Sequence, residues 1–126
     1  MYIQWRVRLA LSFKNISYEY KSINLLNREN HTNQFKQLSP QGHIPVLQID
    51  NISLFQSIPI CEYLEETRNS DGIQLLSSDY FERYKIRSFC EIINSSIQPI
   101  QRKSILDSTY PLLMHDINKL ESDKRK

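Results

Sequence analysis

The first apolar pattern in the chain has helical spacing. Val7, Ala10 and Leu11 recur at i, i+3 and i+4, and Lys14 stands as a polar end of the same stripe. Residues spaced in this way share one face of a helix. The pattern therefore predicts an amphipathic helix over residues 5–14.

The segment that follows changes from helical to strand-like and loop-like patterns. Asn15 suits a helix exit, and residues 18–23 alternate in the manner of a strand and contain tyrosine and isoleucine. Residues 24–32 are polar and indicate a loop, whereas residues 34–38 could form one or two helical turns. Residues 39–43, Ser-Pro-Gln-Gly-His, are typical of a turn because proline fixes its dihedral and glycine permits unusual ones.

A hairpin and a helix complete the first half. Residues 46–49 and 52–55 predict two paired strands, because the Asp-Asn pair at 50–51 tolerates the positive φ of a two-residue turn. Ser57 can cap a following helix whose first turn also contains a proline, and this helix is predicted to run to about Thr67. The apolar residues on its expected buried side are Ile60, Cys61, Tyr63 and Leu64.

The second half has a longer helical pattern. Residues 68–78 are polar and predict a linker, and Asp79 with Glu82 resembles a capping box. The spacing predicts one long helix over residues 79–103, bent near Pro99, with an apolar face that packs into a core. The residues of this face are Ile86, Phe89, Ile93, Ile97 and Ile100. A weaker pattern at Leu113, Ile117 and Leu120 allows one further short helix.

The order of elements predicts an α+β chain in two parts. A half with helices and strands precedes an all-helical half, which indicates two units joined by a linker. The expected division is an N-terminal domain over 1–67, a linker over 68–78 and a C-terminal helical domain over 79–126.

Composition excludes several classes of protein. Sixteen basic and fourteen acidic residues among 126 give a formal charge of +2, too balanced to indicate a nucleic-acid or membrane-surface partner. No stretch approaches the roughly 18 apolar residues of a membrane span, and the first residues do not predict a signal peptide. Cys61 and Cys90 have neither CxxC nor metal-ligand spacing and are predicted to be buried, reduced thiols, which favours a cytoplasmic location.

Four segments resemble the zeta-class glutathione transferases, the family that includes maleylacetoacetate isomerase. They read WRVRLAL at 5–11, SPQGHIPVL at 39–47, QSIPICEYLEE at 56–66 and IQPIQ at 97–101. Their order and spacing match the family as far as about Leu106. The resemblance implies a thioredoxin-like, glutathione-docking half followed by part of the all-helical glutathione-transferase C-terminal domain.

The resemblance also implies a set of site residues. Pro45 would be the family's cis proline, and the backbone of Ile44 would pair with the cysteinyl part of glutathione. Gln56 and Ser57 would hold the γ-glutamyl carboxylate at a helix N-terminus. His43 would lie near the glycyl carboxylate, with Arg6 and Arg102 as further pocket residues.

Each of these residues also has a structural reading. Taken alone, Pro45 could be a trans strand starter, Ser57 only a helix cap and His43 an exposed loop residue, like His31. Arg6 could simply cover apolar surface.

The implied activity is glutathione-dependent isomerisation of maleylacetoacetate to fumarylacetoacetate, in phenylalanine and tyrosine breakdown. The implied partners are glutathione, a small-molecule substrate and a second copy in a homodimer, with no metal. The family has a strand and a thiol-activating Ser-Ser-Cys-Ser run before the tryptophan, where this sequence reads Met1-Tyr2-Ile3-Gln4. Relative to the family the chain is therefore expected to lack its first strand and its distal helices, and no catalytic residue is assigned.

Two alternatives follow from that difference. The chain could be a non-catalytic glutathione-binding or dimerisation module, and it could arise as a splice form, a gene-model fragment or a degenerate copy. A generic thioredoxin-like redox protein is disfavoured, because no cysteine stands at the start of the first helix.

Overall fold

The computed structural model describes residues 3–100, 105 and 108–111. The chain divides into two compact units, Met1–Leu76 and Ser77–Lys126. The described strands, β1 and β2, lie in the first unit, whereas the second is helical where it is described.

Two helices form the core of the first unit. Helix α1 spans Ile3–Phe13 and packs against α3, which spans Ser57–Thr67. The buried apolar side chains of this layer are Val7, Ala10, Leu11, Ile60 and Leu64. Asn15 has φ 55°, so the predicted helix exit is confirmed at a residue type that tolerates left-handed backbone.

The predicted hairpin is confirmed. Strands β1 (Val46–Ile49) and β2 (Ile52–Phe55) pair antiparallel, with Val46 opposite Phe55. Asp50 and Asn51 have φ of 51° and 61°, as a two-residue hairpin turn requires. One face of the hairpin packs on the helical core through Leu47, Ile49 and Leu54.

The strand predicted over residues 18–23 is wrong, because this segment has no regular secondary structure. Strand propensity is realised only when a neighbouring strand supplies hydrogen-bond partners, and β1 and β2 pair with each other. Side chains hold the segment instead. The Arg8 guanidinium donates from Nε to the Tyr18 hydroxyl at 3.0 Å and lies 4.3 Å from the Trp5 ring centroid and 5.3 Å from that of Tyr20.

Between this segment and the hairpin lies the short helix α2. It spans Asn33–Leu38, follows a 3-10 turn over Glu29–His31 and buries Phe35. Its N-terminus is capped by Thr32, whose hydroxyl accepts from the Phe35 amide at 3.3 Å. The prediction of a short helix after a polar loop is therefore confirmed.

A buried ion pair joins α1 to α3. Lys14 is fully buried, and its Nζ lies 2.6 Å from Oε2 of Glu65. The Glu65 carboxylate also accepts from the amides of Leu75 at 2.9 Å and Leu76 at 3.3 Å. Burial acts to raise the pKa of Glu65, but the Lys14 hydrogen bond and the two amides outweigh it, so the pKa lies below its ordinary value.

The chain that follows α3 also runs close to the end of α1. Gly72 passes so close to α1 that a Cβ there would lie 2.1 Å from the Phe13 carbonyl oxygen, and its φ is 59°. The Ile73 amide donates to that same carbonyl at 2.7 Å. Sequence spacing had placed Lys14 only as the polar end of a stripe, whereas the structure makes it a buried partner of Glu65.

The second unit begins with α4, Tyr80–Glu91, which continues into a π-helical segment, Ile92–Ile97. The Asp79 side chain caps α4 by accepting from the amides of Phe81 at 3.0 Å and Glu82 at 2.8 Å. Residues 101–103 of the predicted long helix lie outside the described residues. So does the predicted short helix at Leu113, Ile117 and Leu120.

The predicted burial of the long helix is wrong. Phe89 is 65% exposed, Ile97 45% and Ile86 36%, and Ile93 is only half-buried. Spacing specifies which face of a helix is apolar, but burial also requires an element packed on that face. The prediction that both thiols are buried is also wrong, because Cys61 is only half-buried and Cys90 is exposed.

Candidate functional site

The junction between β2 and α3 has an unusual backbone. Gln56 has φ 71° and ψ 119°, a conformation that non-glycine residues rarely adopt and that is enriched at functional sites. Ser57 is the first residue of α3 and is 5% exposed. The prediction that Ser57 caps the helix is wrong, because Gln56 occupies the cap position and no side chain makes the capping bond.

Ser57 is instead bound by a side chain from α1. The Arg6 guanidinium donates from Nη1 to Ser57 Oγ at 2.8 Å. The Arg6 backbone carbonyl also lies 3.9 Å from Sγ of Cys61, one turn further along α3. Arg6 therefore does more than cover surface, since it joins the start of α1 to the start of α3.

The turn over residues 39–43 lies beside the same junction. Nε2 of Gln56 donates to Oε1 of Gln41 at 2.9 Å. Gly42, at φ 65°, is held by Asn30, whose Nδ2 donates to the Gly42 carbonyl at 2.7 Å. His43 is exposed, and its amide donates to the Ser39 hydroxyl at 3.2 Å.

The Ile44–Pro45 peptide bond is cis, as predicted. Both residues are half-buried and line a groove of about 530 Å³ between β1 and the irregular segment that begins at Ile16. Gln4, at the start of α1, lines the same groove. Within the described part of the chain, the N–H and C=O of Ile44 make no hydrogen bond.

The structure thus brings most of the predicted site residues to linked positions. Hydrogen bonds connect Arg6 to Ser57 and Gln56 to the turn that carries His43, while Ile44 and Pro45 follow that turn along the chain. Arg102 lies outside the described residues. Sequence reasoning missed Gln41 and Asn30, and no periodic signal marks either.

The described residues show neither a metal site nor a membrane span. They contain no group of three or more His, Cys, Asp or Glu side chains placed to hold a metal ion. None of their helices is both long and apolar enough to cross a membrane.

Comparison with known proteins identifies the architecture. The sequence profile of the glutathione S-transferase N-terminal domain matches residues 2–66, which is half of the chain. The chain belongs to the glutathione S-transferase family. The expected thioredoxin-like half, in a mixed α/β fold, is confirmed.

Relatives of the zeta class are well represented among its matches. Maleylacetoacetate isomerase of Mus musculus is 43% identical over 104 residues, which covers 81% of this chain and 47% of the mouse protein. This glutathione transferase chain therefore spans about half the length of the curated relatives it matches.

Solved structures of zeta-class relatives resemble this chain as well. Maleylacetoacetate isomerase of Methylobacterium extorquens, solved with bound malonate and glutathione, superposes with a TM-score of 0.76 at 32% identity over 88% of this chain and 53% of that one. A bacterial maleyl pyruvate isomerase, described as a zeta-class glutathione S-transferase, gives a TM-score of 0.75 at 34% identity over 85% and 50%. The zeta-class resemblance is therefore confirmed.

Proposed function

We propose that this chain carries the glutathione-docking half of a zeta-class glutathione transferase, with an N-terminal domain over 1–67 and a helical domain from 79. The observation that supports this most directly is the β2–α3 junction. Gln56 has a rare positive φ there, and Ser57 is buried at the first position of a helix that matches glutathione transferases. Free amides and the partial positive charge of a helix N-terminus favour an anion at that position.

Glutathione fits this arrangement along its length. Its γ-glutamyl carboxylate would bind at Gln56 and Ser57, and its cysteinyl backbone would pair with the N–H and C=O of Ile44. Its glycyl end would extend towards His43 in the turn that Gln41 ties to Gln56. Pro45 lines the groove beside Ile44.

The reaction proposed for the whole protein follows its relatives, which are named as maleylacetoacetate isomerases. The glutathione thiolate adds to the cis double bond, the resulting single bond rotates, and elimination restores the thiolate and releases fumarylacetoacetate. We place this step in phenylalanine and tyrosine breakdown in the cytoplasm, in a homodimer.

A second candidate is glutathione binding without isomerisation. It is favoured by Gln4, which lines the groove directly before Trp5 and offers a primary amide in place of a hydroxyl or thiol. A thiolate needs donors that lower its pKa, and one missing donor to a developing charge costs on the order of a hundredfold in rate.

Calorimetric titration with glutathione, beside an isomerase assay with maleylacetoacetate, separates the two candidates. We expect the chain to bind glutathione and to turn over far more slowly than a full-length relative. Ser57→Ala should weaken binding, whereas Ser12→Ala, at an exposed position of α1, should not. A folded chain with no affinity for glutathione would refute both candidates, and a normal family rate would refute the second.

A further inference from the structure

The hydrogen bond between Arg6 and Ser57 has only one possible direction. A guanidinium carries five N–H donors and no acceptor, so Ser57 Oγ must accept in the 2.8 Å contact. The hydroxyl keeps one proton of its own, and among the described residues no atom accepts it. Since Ser57 is 5% exposed, this proton belongs to a buried group that is only half satisfied.

The other polar groups at the start of α3 are also donors. Proline at position 59 has no N–H, and the amide of Ile60 already donates to the Gln56 carbonyl at 3.1 Å. Within the part of the chain that the structure describes, the amides of Ser57 and Ile58 at this helix start make no hydrogen bond. With the Ser57 hydroxyl proton they form a set of donors, which favours an anion over a cation.

We propose that Arg6 is a positioning residue for the γ-glutamyl carboxylate. The guanidinium orients the Ser57 hydroxyl by donating to its oxygen, and the charged donor polarises the O–H whose proton is then donated to the carboxylate. This inference rests on the proposed glutathione site and adds a residue that makes the site specific for the γ-glutamyl carboxylate. It predicts that Arg6 acts through Ser57 and on one end of the ligand.

The test uses two ligands, glutathione and γ-aminobutyryl-cysteinylglycine, which lacks only the α-carboxylate of the γ-glutamyl residue. Calorimetric titration of Arg6→Gln should show affinity for glutathione reduced by on the order of tenfold, the scale of one hydrogen bond to a charged group. Affinity for the carboxylate-free analogue should be unchanged. Arg6→Lys should restore part of the loss, because it retains the cation with a single contact.

The double variant Arg6→Gln with Ser57→Ala separates positioning from independent contributions. If Arg6 acts through Ser57, the double variant should bind glutathione about as weakly as Ser57→Ala alone. Arg83→Gln is the matched control, since Arg83 bonds the Ser77 carbonyl in the second unit. Circular dichroism checks that each variant folds. If Arg6→Gln does not fold, Arg6→Lys replaces it in the comparison of the two ligands.

The titrations distinguish failure of the proposed function from failure of the proposed role of Arg6. If the parent chain binds neither ligand, the proposed function and this inference both fail. If the parent binds glutathione and Arg6→Gln or Arg6→Lys binds both ligands equally less well, Arg6 is only structural and the inference alone fails. Unchanged glutathione affinity in Arg6→Gln also overturns it.

Discussion

Helices α3 and α4 have apolar residues at similar helical spacing but opposite surroundings. In α3, Ile60 and Leu64 have no exposed surface, because α1 packs across them. In α4, Phe81 and Tyr84 are each 63% exposed. Periodicity therefore encodes an apolar face, whereas burial depends on a second element that packs on it. Stability of the first unit should therefore respond to its helix layer far more than to any change on α4.

The largest expected effect is at Leu64. Leu64→Ala removes a side chain with no exposed surface and leaves a cavity between α1 and α3, so the free energy of unfolding should fall by about 4 kcal/mol. Phe89→Ala, on the exposed face of α4, should change it by less than about 0.5 kcal/mol. Urea unfolding followed by circular dichroism measures both. Equal losses in the two variants would contradict the contrast between the helices.

The next effect concerns the ion pair that closes the α1–α3 layer. Glu65→Gln leaves the fully buried Lys14 ammonium without its carboxylate, and the expected loss is about 3 kcal/mol. Glu66→Gln, at the exposed neighbouring position, is the control and should have little effect. Hydrogen exchange should also accelerate at the Leu75 and Leu76 amides, which donate to the Glu65 carboxylate. Unchanged exchange at both amides would show that Glu65 does not hold this segment.

The pH dependence of the free energy of unfolding tests the contribution of Glu65 in a second way. The folded-state pKa of Glu65 lies below its ordinary value of 4.5, so its ionised form contributes stability above about that pH. That contribution is lost as pH falls through the folded-state pKa. Urea unfolding from neutral pH to about pH 3 should therefore show a steeper acid loss in the parent than in Glu65→Gln. Parallel curves would mean that Glu65 has the same pKa in the folded and unfolded chains.

Local sequence signals predicted the hairpin, the helix exit at Asn15, the end of α3 at Thr67 and the Asp79 cap of α4, because each depends on residues that are close in the chain. The Asp50-Asn51 turn is the clearest case, since two residue types that tolerate positive φ fix the register of both strands. The strand predicted over 18–23 does not form because β1 and β2 pair with each other and leave it no partner. The apolar face of α4 is exposed because burial also needs an element packed on that face.

The candidate site was located from sequence, but its chemistry was not. Ser57 was correctly placed at the start of α3, yet its partner is Arg6, fifty-one positions away, and not a helix amide. The positive φ of Gln56 and the Gln41 contact also depend on the folded chain. Spacing cannot reveal contacts of this range, whereas resemblance to a family selects the right residues without giving their hydrogen bonds.

The smallest effect is expected at the hairpin turn, where Asp50 and Arg68 form an exposed ion pair. Arg68 donates from Nη2 to both Asp50 carboxylate oxygens at 2.6 and 2.7 Å, and the Tyr63 hydroxyl donates to Oδ2 at 2.8 Å. The Arg68 and Tyr63 hydrogen bonds hold the pKa of Asp50 below its ordinary value, so any stability it contributes is also lost as pH falls.

Asp50→Asn should nevertheless cost little, because the pair is solvent-exposed and asparagine favours the left-handed conformation of this turn. Thermal unfolding of Asp50→Asn and Glu65→Gln, measured side by side, tests whether burial decides the worth of an ion pair in this unit. We expect the Glu65→Gln midpoint to fall clearly and the Asp50→Asn midpoint to stay near that of the parent. A loss at Asp50 as large as that at Glu65 would mean that the hairpin turn, and not the α1–α3 layer, limits the stability of the first unit.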